Sequence, residues 1–344
     1  ALEQRPDLLG LSLKDCDRLT DFSPLMSLTG LEEVSIASDQ LKSIDFIENM
    51  PVLNSLRIES TQIASVDALA QCPQLEYLYL YLDGSYNTTD YSVIGDLVLL
   101  QELTLEISGN YNGIMPSFEN LTDLQHLELK GVRDISSVRD AVNLTYLSLE
   151  DCSGDSLDIF SSLQELQVLY INDFSSYTSS LEPLTHLSKL MMLFLDDTSV
   201  FGNIEEIFGI PTLQYLYLDD CQVGMDFDNL PTNETLELLS MNDISILYDP
   251  TYNNGGEVSL SEHYDMFSHF PNLTELHLES NGIDSIEFVA GLPKLQYLNI
   301  TDNHVTSLKP LEGLSDFQAV WCGQNTILES LPESSKIEVY TTEY

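Results

Sequence analysis

One spacing constrains this chain more than any other feature, and residues 273–292 (LTELHLESNGIDSIEFVAGL) carry its cleanest copy. Leu273, Leu276 and Leu278 stand as L-x-x-L-x-L. The alternation of Leu276 and Leu278 about His277 is the period-two signature of a short strand. Asn281 follows, then Ile283, Ile286, Val289 and Leu292 at intervals of three, a period that suits 3-10 turns. The frame recurs from Leu8, Leu31, Leu53, Leu75, Leu100, Leu124, Leu144, Leu166, Leu190, Leu213, Leu236, Leu273 and Leu295, with a degenerate last copy from Phe317. Most copies run 20 to 25 residues, and 22 recurs. One copy cannot bury its own apolar face; stacked copies share a core that grows lengthwise.

Self-similarity at this period resembles the leucine-rich repeat. Short units such as residues 53–72 (LNSLRIESTQIASVDALAQC) are similar to the 22-residue subclass of bacterial internalins, which a eukaryotic phosphatase-regulating subunit also uses. The resemblance implies an α/β fold: one curved right-handed solenoid over residues 1–344, a concave parallel sheet that binds the partner, and a mostly 3-10 or irregular convex side. Fourteen turns at ~4.8 Å each predict a sheet roughly 60–65 Å long. One departure concerns the buried ladder Asn after the strand, expected only at Asn281 and Asn303. Cys16, Cys152, Cys221, Thr61 and Thr198 stand at the equivalent place, where a thiol or hydroxyl still donates to a neighbouring carbonyl. Val132 and Phe174 offer no donor.

Charge separates the chain from several function classes. It has 56 acidic against 12 basic residues, a formal net charge of −44. Phosphate binding depends on Lys and Arg, so nucleic acid and anionic membrane surfaces are disfavoured as partners. The charge favours a cationic partner, a divalent metal, or solubility alone. The five cysteines all fall on inward-facing frame positions, and Cys152 and Cys221 lie three turns apart, so five buried free thiols are expected. No apolar run reaches a membrane-spanning length. The chain opens inside its first repeat with no helical cap, as a processed or trimmed chain does. The sequons at Asn87, Asn120, Asn143, Asn233, Asn272 and Asn299 are read as chance repetition around a framework Leu.

Three stretches break the regular frame. Loops after the strands from Leu75, Leu100 and Leu166 place Tyr86, Tyr111 and Tyr177 at one repeat position, with Gly84 and Gly109 marking tight turns. The copy from Leu236 takes 37 residues to reach Leu273. Its excess, about residues 244–271, holds Asn253-Asn254-Gly255-Gly256 between alternating Ile246/Tyr248 and Val258/Leu260, which predicts a hairpin or protruding loop. From Phe317 the frame decays into a C-terminal cap over residues 317–344, where residues 336–340 alternate as a terminal strand.

Strand side chains alternate, so the third, fifth and seventh positions of each copy face outward from the sheet. They carry Tyr77, Tyr79, Tyr81, Tyr146, Tyr170, Phe194, Tyr215, Tyr217, Tyr297 and Trp321, with His126 and His277. An exposed aromatic stripe is atypical of a surface that binds nothing, and Tyr and Trp are common interface anchors. Beside it runs an acidic edge: Glu150-Asp151, Asn172-Asp173, Asp196-Asp197, Asp219-Asp220 and Asn242-Asp243. The eighth-position Asp residues are expected to cap their turns as Asx motifs. Glu150, Asp196 and Asp219 have no such structural reason.

No catalytic motif is present, and open solvated carboxylates are not tuned for catalysis as those of a closed cleft are. No cofactor is implied, and no spacing matches a calcium loop. The reading is a non-enzymatic recognition module, secreted or on the cell surface. It binds a protein with a basic patch, such as a host or neighbouring-cell surface protein, through Tyr77, Tyr79, Tyr146, Tyr170, Phe194, Tyr215 and Tyr217 with Glu150, Asp196 and Asp219. Alternatives are a glycan-binding surface module and a cytoplasmic regulatory scaffold subunit.

Overall fold

The computed structural model describes residues 5, 7–16, 18–83, 90–109, 113–154, 156–174, 180–248, 257–331 and 336–341. Among these, fifteen strands form one parallel sheet in chain order. The chain divides into two compact units, Ala1–Gly154 with Ser162–Leu166, and Asp155–Ser161 with Gln167–Tyr344. The predicted frame holds in both.

The N-terminal unit carries β1 (Gly10–Leu13), β2 (Glu33–Ala37), β3 (Ser55–Ser60), β4 (Tyr77–Asp83), β5 (Glu102–Ser108), β6 (His126–Lys130) and β7 (Tyr146–Glu150). Equivalent frame positions pair: Leu56 opposes Leu78, and Leu78 opposes Leu103. Most of these strands return through a 3-10 turn such as Asp45–Asn49, Asp67–Gln71 or Ser136–Asp140. Entry to these turns is chemical as well as apolar. Ser65 Oγ accepts the Asp67 N–H at 3.1 Å, and Asp134 Oδ1 accepts the Ser136 N–H at 2.9 Å. Inward residues of strand and turn alike, among them Ile58, Leu69 and Leu80, are fully buried. Full burial of such a side chain is worth about 1.5–3 kcal/mol, so the core is a sum over turns.

The C-terminal unit carries β8 (Val168–Asn172), β9 (Met192–Asp196), β10 (Ser199–Asn203), β11 (Tyr215–Tyr217), β12 (Gln222–Met225), β13 (Leu238–Ser240), β14 (Ser245–Tyr248), β15 (Glu257–Val258), β16 (Glu275–His277), β17 (Tyr297–Asn299), β18 (Ala319–Trp321) and β19 (Glu338–Tyr340). Two of its returns, Glu182–Thr185 and Glu205–Phe208, are single α-helical turns. The terminal strand predicted near residue 338 is present as β19, paired parallel to β18.

The insertion is a hairpin, as the spacing predicts: Ile246 opposes Val258 across the antiparallel pair β14–β15. Its turn, with residues 253–256, lies outside the described residues, as do Tyr86, Tyr111 and Tyr177. The hairpin does not stand alone. It continues a second sheet ordered β10-β12-β14-β15, in which β12 and β14 pair parallel. The apolar side chains Val223 and Ile246 bury themselves there.

What ends the strands differs from expectation. Asp15, Asp151, Asp173, Asp197, Asp220, Asp243 and Asp302, all at the eighth position, adopt positive φ between 45° and 54°. Asp tolerates this left-handed region better than most residues. These Asp side chains do not form Asx caps; the residue type is selected for backbone shape. The Asx-type bonds lie instead at the entries to the 3-10 turns. Gly131 occupies the same eighth position with φ +72°, and a Cβ there would sit 2.0 Å from the Ile107 carbonyl oxygen. Only glycine fits.

The ladder also needs correction. Asn303 donates to the Leu278 and Ile300 carbonyls at 2.8 and 3.0 Å and accepts the Asn281 and Ile283 N–H groups. Asn325 repeats the motif, donating to Ile300 O at 2.7 Å and accepting from Val305 N at 2.9 Å. It is a third ladder Asn in the decayed last copy. Cys152 and Cys221 substitute as expected, toward Leu129 O and Leu195 O. Thr61 does not, because it bonds Asp39; the buried Ser60 serves Leu41 O at 2.7 Å. All five thiols are free, but Cys16 is only half-buried, since its turn has a neighbour on one side. Burial pushes Cys152 and Cys221 up to about 12.

Three of the sequons, at Asn143, Asn233 and Asn272, have a structural reason. Asn143 Nδ2 donates to Thr122 O and Asn272 Nδ2 to Glu234 O, while Thr145, Thr235 and Thr274 donate to carbonyls of the preceding turn. N-x-T ahead of the strand clasps one turn to the last. Asn233 and Asn299 are buried, which bars a glycan from them.

Candidate functional site

The outward positions of the N-terminal unit form a network in which Arg57 and Lys130 each meet a carboxylate. On β4, Tyr77 is exposed and Tyr79 is half-buried. The Arg57 guanidinium lies 3.6 Å above the Tyr79 ring, and Arg57 Nε donates to Glu59 at 2.6 Å. Tyr79 OH donates to Glu106 at 3.1 Å. Burial, then the Glu106 charge, pushes the Tyr79 phenol up to about 12. Tyr146 on β7 stacks on His126 of β6, with centroids 4.1 Å apart and planes 3° from parallel. His126 meets Glu128 at 2.9 Å, which holds that carboxyl below its ordinary value.

Glu150 ends β7 in an ion pair with Lys130, its register partner on β6. The carboxylate predicted to have no structural reason therefore has one. The frame carried the signal, since Lys130 and Glu150 are seventh positions of adjacent copies and Arg57 and Tyr79 are fifth positions of adjacent copies.

The C-terminal unit handles the same positions differently. Tyr170, Phe194 and Tyr217 lie in direct register on β8, β9 and β11. Phe194 and Tyr217 stack at 4.4 Å, and Tyr170 tilts against Phe194 at 5.6 Å. Tyr215 lies two residues before Tyr217, its hydroxyl 3.5 Å from Glu237. All four rings are half-buried.

The carboxylates beside them meet neutral donors. Asn172 Nδ2 donates to Asp196 at 3.1 Å. Asp219 Oδ1 accepts from Ser240 Oγ at 2.6 Å and from the Asn242 N–H at 2.8 Å. Asp219 thus also clasps the next turn, a role the sequence reading missed. Asp220 is pushed above its ordinary value by desolvation and then by Asp243, Asp196, Asp219 and Asp197, with no cation opposing them. No Lys or Arg occurs between Lys189 and Lys294.

Further along this unit Tyr297 is half-buried and donates to Gln318, and other outward positions are covered. His277 and Asn299 are buried, and Trp321 stacks on Tyr340 at 4.9 Å. The structure therefore gathers the ten predicted site residues into two sets. Tyr77, Tyr79, Tyr146 and Glu150 lie in the N-terminal unit; Tyr170, Phe194, Tyr215, Tyr217, Asp196 and Asp219 lie in the C-terminal unit. Among the described residues, no group of three or more His, Cys, Asp or Glu side chains has metal-binding geometry, and no helix is long and apolar enough to cross a membrane.

Comparison with known proteins agrees with this geometry. A leucine-rich-repeat family model of two copies matches residues 271–313. An internalin of Listeria monocytogenes aligns with TM-score 0.66 at 16% identity, over 99% of this chain and 89% of that one. A leucine-rich-repeat protein of Leptospira interrogans aligns with TM-score 0.67 at 19% identity, over 98% and 91%. The leucine-rich-repeat ectodomain of an Arabidopsis thaliana membrane receptor kinase, solved in complex with Casparian strip integrity factor 2, aligns with TM-score 0.61 at 19% identity, over 88% of this chain and 37% of that one. Mouse CD180 antigen is 27% identical over 204 residues, 54% of this chain. This chain spans about a third of that protein's length, 31%. The chain has the leucine-rich-repeat fold, and internalins share it.

Proposed function

We propose that this chain is a non-enzymatic recognition module that binds a protein through the outer face of its sheet, with the C-terminal unit as the principal contact. The observation that carries this reading is the row Tyr170–Phe194–Tyr217 beside Asp196 and Asp219, two carboxylates that open a run from residue 190 to residue 293 without Lys or Arg. Rings give contact area at low entropy cost, and uncompensated carboxylates steer a basic partner. Tyr77, Tyr79, Tyr146 and Glu150 form a second, internally paired contact zone. The glycan alternative is weaker here, because Phe194 and Tyr217 turn their faces to each other rather than outward.

A secreted or cell-surface location fits the receptor-kinase ectodomain among the structural neighbours. Cell fractionation of the native protein tests it, and a cytosolic pool alone would reject it. Capture experiments with the wild-type chain and a Tyr170→Ala/Tyr215→Ala/Tyr217→Ala variant test the contact. The expected result is a basic protein retained by the wild type and lost by the variant; identical captures reject the C-terminal face.

A further inference from the structure

The chain contains an internal example of what its outer face does with a cation. In the N-terminal unit, a fifth-position Arg57 lies over the fifth-position ring of the next turn, Tyr79, while its guanidinium binds the seventh-position carboxylate of its own turn, Glu59. The turns carrying Phe194/Asp196 and Tyr217/Asp219 repeat that arrangement with one change. Phe194 replaces the guanidinium over the next ring, at 4.4 Å from Tyr217. The carboxylate in the place of Glu59, now Asp196, has Asn172 as its side-chain donor among the described residues.

Resting on the reading above, we propose that the partner supplies the missing cation as arginine, on an extended segment laid along Asp196, Asp219 and Asp220. Three arguments favour arginine over lysine. The carboxylates recur at the turn spacing of ~4.8 Å, which a planar fork of five donors can bridge and a point ammonium cannot. Asp219 Oδ1 is already engaged by Ser240 and Asn242, so a second donor must approach in a fixed direction, which a rigid fork meets more readily. The guanidinium is also more weakly hydrated than an ammonium, so it gives up less solvation against this half-buried face.

The test is calorimetric titration of the full chain with two peptides, acetyl-Arg-Gly-Arg-Gly-Arg-amide and its all-lysine counterpart, at physiological salt. The arginine peptide should bind roughly threefold or more tighter than the lysine peptide. Asp196→Asn/Asp219→Asn should abolish that preference. Asn still accepts a hydrogen bond at both sites, so the fold is retained, which circular dichroism checks. A control variant at the exposed residues Glu262 and Asp265 (Glu262→Gln/Asp265→Asn) should keep the preference. Equal affinities, or a preference that survives in the Asp196/Asp219 variant, overturn the arginine assignment. The broader concept of a protein-binding face fails separately, through the tyrosine capture experiment.

Discussion

The two units build their outer faces from the same frame and balance the charge in opposite ways. In the N-terminal unit the carboxylates Glu59, Glu128 and Glu150 meet Arg57, His126 and Lys130 from the chain itself. In the C-terminal unit Asp196, Asp219 and Glu279 meet Asn172, Ser240 and Asn299. A neutral donor satisfies a carboxylate's lone pairs and leaves its charge in place. The N-terminal face brings Arg57 and Lys130 to two of its carboxylates, while Asp196 and Asp219 beside the C-terminal ring row keep their charge for something outside.

The ladders inside the core also differ along the chain, cysteine at residues 152 and 221 and asparagine in the last copies, and there the largest effect is expected. Asn303 is buried and its amide nitrogen serves three carbonyls. Asn303→Ala should cost about 2–3 kcal/mol, because buried backbone groups lose their partners. Cys152→Ala in the N-terminal unit removes only a weak thiol donor and should cost about 1 kcal/mol. Urea titrations compare the two, and equal costs would break the distinction.

These differences show how far the sequence could be read. The leucine frame was legible because every inward position answers to one demand, burial in a shared core. The ladder at Asn325 was not, because the last copy (FQAVWCGQN) lacks the leucines that mark the frame. The eighth-position Asp residues were located correctly and explained wrongly, since Asp suits both an Asx cap and positive φ. The sheet β10-β12-β14-β15 escaped notice because its strands occur in only three turns and pair across them. The ten site residues were placed on the outer face by parity alone. Parity does not tell which carboxylate finds a cation, a question that the adjacent copies' fifth and seventh positions answer.

At the surface, Tyr217→Ala should weaken partner binding by about 1 kcal/mol or more, the scale of an interface anchor. Tyr79→Ala should do less, since Tyr79 already engages Arg57 and Glu106. The reverse order would move the principal contact to the N-terminal unit.

The smallest effect is in the response to acid, and its sign should differ between the units. The displaced carboxyls of the N-terminal unit are all held low: Asp7 by Arg5, Asp21 by Ser23, Asp90 by Ser92, Glu128 by His126 and Asp134 by the Ser136 N–H. Their stabilisation is present above the ordinary carboxylate range and is lost as pH falls through their lowered values. In the C-terminal unit Glu205, Glu206 and Asp220 are raised, chiefly by desolvation, while Glu329 beside Lys309 is lowered. Groups with raised values favour the native state increasingly as pH drops through them from neutrality. Hydrogen exchange, corrected for intrinsic rates, should show protection in the C-terminal unit holding or rising in mild acid. Protection in the N-terminal unit should fall later, as pH drops below the ordinary carboxylate range. Parallel loss in both units would contradict the charge contrast.

The most direct test transplants the N-terminal solution into the C-terminal face. Phe194→Arg sets a guanidinium between the Tyr217 ring and Asp196, as Arg57 stands between Tyr79 and Glu59. The measurement is the affinity of the arginine peptide for the wild-type and Phe194→Arg chains, with Glu262→Gln as a control of equal charge change. Phe194→Arg should weaken the peptide roughly tenfold while Glu262→Gln changes it little. Equal affinities for wild type and Phe194→Arg would mean that the vacant counter-charge on this face is not what recognises the partner.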